Sequence, residues 1–236
     1  MSERTSARYD EIADFYDSVV GDAVADPATS GLLSLVGEVR DMRLLDLACG
    51  QGRIARALAR CGAQMVGVDI SDALLDKARA AEKDHPLGIT YVHADVTAPN
   101  ALGAETFDGV VCNYGLSDID HLDATVAAIA HVLRPGGWFV FSILHPCFPG
   151  WGDDAPSSWR PGAGYYREGW WLARSPGFRG KVGANHRMVS TYLNVLASNG
   201  FLVERALEPD PGPEWAARVP GADAVPVYLA ALCRKL

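Results

Sequence analysis

The sequence predicts an α/β fold: a mostly parallel β-sheet with helices on both of its faces. Three observations carry this. Apolar runs alternate along residues 43–144 with stretches of about 3.6-residue periodicity, the pattern of βαβ units. The runs are near-continuous rather than alternating, as strands covered on both sides require. A glycine turn stands between the first run and its helix, and in open α/β sheets ligands bind outside such carboxyl ends of strands.

Residues 5–39 hold two helical patterns, broken near "GDAVADPATSG", where Asp26 and Pro27 supply the start signal of the second. The core alternation then begins: strand "RLLDLA" with helix "RIARALARC", strand "QMVGVDI" with helix "DALLDKARAAEK", and strand "GITYVHAD". Strand "FDGVVCNY" follows with helix "LDATVAAIAHVL". In "LRPGG", Pro135 stops that helix and Gly136 and Gly137 free the chain to turn into strand "GWFVFSIL". Residues 146–188 are rich in Gly, Pro and aromatics without a period, which suggests an insertion covering a site. A helix near 189–199 precedes two further strands, "FLVERALE" and "PVYLAALCRK", separated by a loop that begins "PDPGP".

The 236 residues, 49% of them hydrophobic, suffice for one sizeable core. One domain over residues 1–236 is expected, with helical elaboration over 1–40 and the insertion at 146–188. The charged start, "MSERTSARYDEIADFYD", lacks a signal-peptide apolar run, and no stretch approaches the roughly 18 apolar residues of a membrane span. A cytoplasmic protein without a membrane partner is expected. Cysteines 49, 61, 112, 147 and 233 form no C-x-x-C and read as reduced structural thiols, not as a metal site. A formal net charge of −8 argues against nucleic acid as partner, since binding it requires cationic surface, and favours a small molecule.

What the turn holds is open on its own residues. In "LDLACGQGRIA", residues 45–55, Gly50, Gly52 and Ala55 satisfy G-x-G-x-x-G/A, and Asp69 lies 17 residues beyond Gly52, where a ribose-binding acid belongs. NAD, a flavin and S-adenosylmethionine all satisfy that pattern. Asp46, ending the first strand, discourages a pyrophosphate on the helix N-terminus and suits a ligand carrying an ammonium group.

Five ordered stations, "LLDLACGQGRIARALA", "VGVDIS", "HADV", "FDGVVCNYGLSDI" and "HVLRPGGWFVFS", resemble the class I S-adenosylmethionine-dependent methyltransferases, nearest their small-molecule branch of ubiquinone/menaquinone-like and antibiotic-biosynthesis enzymes. The resemblance covers residues 9–145 and, more loosely, the C-terminal "HRMVSTYLNVLASNGFLVERALEP". It implies a Rossmann-like seven-stranded sheet, mostly parallel with an antiparallel C-terminal strand, and S-adenosylmethionine as cofactor. It also implies that the backbone of Ala48, Gly50 and Gly52 lies against the methionine half, with Asp46 near its ammonium. Ala48 replaces the commoner glycine, a change expected to be tolerated at negative φ. By the same resemblance Asp69 takes the ribose hydroxyls, Ile70 packs on the adenine, and Asp95 and Val96 read its edge. Asn113 and Tyr114 flank the sulfonium. Helix-cap roles are the plainer alternative for Asp69 and Asp95.

"RYDEIADFYDSVV" resembles the helix that closes over the cofactor in many of these enzymes, with Tyr16, and secondarily Tyr9, contacting the methionine carboxylate. Tyr9 and Tyr16 are two helical turns apart; an ordinary apolar stripe with Ile12 is the alternative. Methyl transfer needs alignment and water exclusion, and a base only where the nucleophile must lose a proton. His145, following a strand and held extended by Pro146, is the first candidate base; His186 is the second, and Tyr114 a positional alternative.

Residues 146–190 hold six Arg/Lys and three Asp/Glu, a net +3 against −11 for the remainder. They also hold Trp151, Trp159, Trp170, Trp171, Tyr165 and Tyr166. Such a segment suits a flat acceptor bearing an anionic group; an aromatic homodimer interface would have the same composition. The expected function is methyl transfer to oxygen or nitrogen of a small aromatic or secondary-metabolite acceptor. The alternatives are a cofactor-binding enzyme that catalyses cyclisation or decarboxylation, an NAD-dependent dehydrogenase, and a non-catalytic binding protein.

Overall fold

In the computed structural model, which describes residues 7–98, 101–103, 106–148, 165–173, 177–213, 217 and 225–236, one seven-stranded sheet organises the chain. Its strands are β1 (Arg43–Leu47), β2 (Gln64–Asp69), β3 (Thr90–His93), β4 (Phe107–Asn113), β5 (Leu133–Leu144), β8 (Phe201–Leu207) and β9 (Tyr228–Lys235). Their order is β3-β2-β1-β4-β5-β9-β8. All pairings are parallel except those of β9, which runs antiparallel to both neighbours. Chain order reverses between β1 and β4, so the crevice at their carboxyl ends is the switch point where such sheets bind ligands.

The helices are α1 (Ala13–Val20), α2 (Pro27–Val36), α3 (Arg53–Arg60), α4 (Asp72–Asp84), α5 (Leu122–Val132), α6 (Phe178–Val182) and α7 (Val189–Ser198). A 3₁₀ turn, Asp10–Ile12, leads into α1. The expected start of α2 is realised: Asp26 caps it by accepting the Thr29 N–H at 3.0 Å, with Pro27 in the first turn. Among the described residues no helix is long and apolar enough to cross a membrane.

Successive residues of the central strands fall into different cores, which is why their sequences read as unbroken apolar runs. Leu45, Leu47, Cys112, Phe139 and Phe141 pack with Ile129 of α5 and Leu196 of α7. Leu44, Met65, Val111 and Val140 pack with Leu32 of α2 and Ile54 of α3. The predicted turn "LRPGG" lies within β5, as an offset between the pairs Phe107↔Leu133 and Gly109↔Trp138.

Part of the aromatic segment lies within the described residues. It contributes an antiparallel pair, β6 (Gly169–Trp171) with β7 (Ala184–His186), where no periodicity had marked strands. Three-residue strands are too short to display one. Trp151 and Trp159 lie outside the described residues.

Candidate functional site

The turn between β1 and α3 is left-handed at three positions: Ala48 (φ 57°), Gly50 (φ 55°) and Gly52 (φ 82°). The expectation of negative φ at Ala48 is therefore corrected; this residue bears the roughly 1–2 kcal/mol strain that glycine avoids. Its Cβ packs over Gly115, where an added Cβ would come within 2.6 Å, so the two positions fit only if one is glycine. At Gly52 an added Cβ would stand 2.2 Å from the Tyr91 hydroxyl, a clash that fixes glycine there by space as well as by conformation.

Two acids lie beneath the turn. Asp46, fully buried in β1, accepts the Ala55 N–H of α3 at 3.0 Å and so caps that helix from inside the sheet. Burial, opposed by that hydrogen bond and reinforced by the charge of Asp69, pushes its carboxyl up to about 7. Asp69, buried at the end of β2, accepts the Gly50 N–H at 2.7 Å and the Ser71 N–H at 2.8 Å, one on each oxygen. Burial raises its pKa as well. At the third strand end, Asp95 accepts both the N–H and the hydroxyl of Thr97, at 2.9 and 2.7 Å. Val96 beside it is buried in the core. Ile70, half-buried, meets Nε2 of His93 through its carbonyl at 2.9 Å, which ties the end of β3 to that of β2.

Asp46 makes a prediction about pH. A carboxyl raised in the folded chain favours folding fully below its unfolded pKa near 4, and loses that contribution as pH rises through about 7. Relative to wild type, Asp46→Asn keeps an oxygen for the Ala55 N–H and removes a pH-dependent loss on the order of 2–3 kcal/mol between pH 5 and 8. Urea unfolding of both proteins at the two pH values measures it; parallel pH profiles would contradict it.

The cations of α3 closest in sequence to the turn are engaged by partners within the protein. Arg53 donates to the Ala23 carbonyl at 2.5 Å, to Asp26 at 3.1 Å and to the Thr29 hydroxyl at 3.1 Å. Arg56 pairs with Asp22 and the Gln51 carbonyl. The cradle thus presents buried acids, and its chemistry fits a ligand with hydroxyls and positive charge better than a pyrophosphate.

The residues at the end of β4 belong to the Arg53 network. Asn113 donates to the Thr29 hydroxyl at 3.0 Å and accepts from Ser142 of β5 at 2.6 Å. The Tyr114 phenol donates to Asp26 at 2.8 Å, and burial and that carboxylate hold its pKa far above the ordinary range. None of Arg53, Thr29, Asp26 and Ser142 was singled out as a partner by sequence, although one signal was present. A cation in the first turn of a helix opposes the helix dipole and therefore calls for a specific partner.

The two histidines stand apart. His145, buried after β5, accepts the Cys147 N–H on Nδ1 at 2.9 Å and directs Nε2 to Glu208 at 3.3 Å, and burial lowers its pKa. His186, buried at the end of β7, bonds through Nε2 to the Tyr165 carbonyl at 2.9 Å. Tyr9 and Tyr16 meet edge to face at 5.1 Å, and the Tyr9 phenol donates to Asp118 at 3.0 Å. Burial pushes Tyr16 up to about 12, with the carboxylates of Asp118 and Asp69 contributing and Arg53 and Arg179 opposing.

A family model described as a methyltransferase domain matches residues 45–141. A ubiquinone biosynthesis O-methyltransferase of Aromatoleum aromaticum is 35% identical over 106 residues, 45% of each chain. The chain spans about half the length, or less, of the curated relatives it matches. A solved S-adenosylmethionine-dependent methyltransferase from Mesorhizobium loti is similar over 89% of this chain and 99% of its own, at 29% identity and a TM-score of 0.73. The [4+2]-cyclase SpnF shares the fold, with a TM-score of 0.69 at 20% identity over 96% and 93% of the two chains. The sheet order, the methyltransferase domain matched over residues 45–141 and a solved relative of near-equal extent together support a class I S-adenosylmethionine-dependent methyltransferase.

Proposed function

We propose that this chain transfers a methyl group to an oxygen or nitrogen of a small aromatic acceptor bearing an anionic group. S-adenosylmethionine, the cofactor of its family, supplies when bound an electrophilic methyl group on a cationic sulfur. The observation that carries the reading is Asp69: a buried carboxylate at the end of β2, beside the turn, with the Gly50 N–H on one oxygen and the Ser71 N–H on the other, retains lone pairs for two hydroxyls. In this reading Ala48, Gly50 and Gly52 bring backbone against the methionine half, and Asp46 supplies negative charge beneath it. Ile70, Asp95 and Val96 bound the adenine, Asn113 and Tyr114 form the floor near the reacting carbon, and Tyr9 and Tyr16 exclude water above it.

His145 is the proposed base where the nucleophile must be deprotonated, with His186 and Tyr114 behind it. Its low pKa keeps the imidazole neutral, and Glu208 stands ready to stabilise the imidazolium. A proton would enter at Nδ1, so the Cys147 amide must first release that nitrogen. Exposed Trp170 and Tyr166 in the aromatic segment support a flat acceptor.

All three base candidates hold structural hydrogen bonds. This, with the fold shared by a cyclase, favours as second reading a reaction that consumes no methyl group. Incubation with methyl-labelled cofactor and a panel of phenols, aromatic carboxylates and amines separates the two: label in the product supports transfer, and conversion without label supports the second reading. His145→Ala and His186→Ala should lower turnover at least about tenfold with cofactor affinity unchanged; near-native turnover in both would remove the base role.

A further inference from the structure

Resting on the cofactor reading above, we infer that Asp118 and Arg179 are positioning residues that couple the N-terminal cover of the cradle to the wall formed by α6 and β7. Asp118 lies in the loop after β4, and its two oxygens face different elements. Oδ2 accepts the Tyr9 phenol at 3.0 Å, from the N-terminal segment. Oδ1 pairs with Nη1 of Arg179 in α6, and that nitrogen also donates to the Gly183 carbonyl at 2.9 Å. The pair is largely buried, its side chains 13% and 22% exposed, so removal of either partner leaves a poorly solvated charge.

The same loop is held on both flanks. From the β7 side, Arg187 donates to the carbonyls of Leu116, Ile119 and Asp120 at 2.8, 2.6 and 2.9 Å, and Asn185 donates to the Asp120 carboxylate at 2.9 Å. From the N-terminal side, Arg8 pairs with that carboxylate. The cover itself is held by apolar and polar contacts together: Tyr9 packs on Tyr16, and Phe15 of α1 faces Lys181 of α6 at 5.7 Å. Ile12 and Ala13 are the buried residues of its 3₁₀ turn and α1, and Asp10 adds a polar hold on α4 through the Ser71 hydroxyl at 2.6 Å and the Ala73 N–H at 3.2 Å. A short segment held in part by polar anchors loosens when those anchors fail. Arg179 aims the carboxylate that Tyr9 needs, so loss of the cation from α6 loosens a segment it does not belong to. By reciprocity, closing the cover orders the α6–β7 wall.

The test uses the full chain with S-adenosylhomocysteine as probe and four variants: Tyr9→Phe, Arg179→Met, Arg179→Lys and the double variant Tyr9→Phe/Arg179→Met. Tyr9→Phe deletes one hydroxyl, which keeps the test valid if Arg179→Met fails to fold. Each of Tyr9→Phe and Arg179→Met should weaken affinity about five- to tenfold and speed proteolysis of the N-terminal segment without ligand. The double variant should be no weaker than the worse single one, and Arg179→Lys should recover part of the loss. Additive effects, or unchanged affinity and proteolysis in Tyr9→Phe, overturn the coupling. Absence of binding by the wild type overturns the cofactor reading instead, while the ligand-free proteolysis still decides the coupling.

Discussion

Asp69→Ala is expected to reduce cofactor affinity by at least about a hundredfold while the chain stays folded. Two charge-assisted hydrogen bonds to hydroxyls are worth roughly 1.5–3 kcal/mol each, and both depend on this carboxylate. The substitution also leaves the Gly50 and Ser71 N–H groups without their acceptor, at a cost of about 1–3 kcal/mol. Release from burying a charge offsets part of that cost. Asp69→Asn separates the effects, because its amide oxygen accepts one of the two N–H groups. Calorimetric titration beside thermal melting reads both quantities, and an Asp69→Ala protein that binds like wild type would remove the acid from the site.

Gly52→Val is expected to act on the fold itself. The residue sits at φ 82°, a region β-branched side chains avoid, and its Cβ would stand 2.2 Å from the Tyr91 hydroxyl and 2.8 Å from Cζ. Backbone strain and overpacking together are expected to remove on the order of 3 kcal/mol or more from stability. Gly50→Ala is the comparison: its φ of 55° carries the conformational cost, but the nearest atom to the added Cβ, Leu74 Cδ1, is 3.8 Å away. Denaturant midpoints should therefore fall far more for Gly52→Val than for Gly50→Ala. Similar midpoints would mean that Tyr91 moves aside.

Much of this was legible in the sequence because it is local. The strands of the main sheet announce themselves as apolar runs, since Leu44 and Leu45, or Val140 and Phe141, feed cores on opposite faces. The cap at Asp26 is legible for the same reason, as its partner is three residues away. The positive φ of Ala48 was not, because alanine carries no mark of left-handed backbone and the reason for its presence, Gly115, is distant in the chain. The network joining Arg53, Thr29, Asn113 and Ser142 links residues 24 to 84 positions apart and leaves no periodic trace. Asp118 and Arg179 escaped notice likewise: each is an ordinary charged residue until the fold makes them partners 61 positions apart.

In the proposed function the turn after β1 holds the methionine half of S-adenosylmethionine and not a dinucleotide. Titration calorimetry of the wild-type chain with S-adenosylhomocysteine and, separately, with NAD tests it most directly. One saturable site for S-adenosylhomocysteine with no heat from NAD is the expected result; saturable binding of NAD, or a folded chain that takes neither, would contradict it.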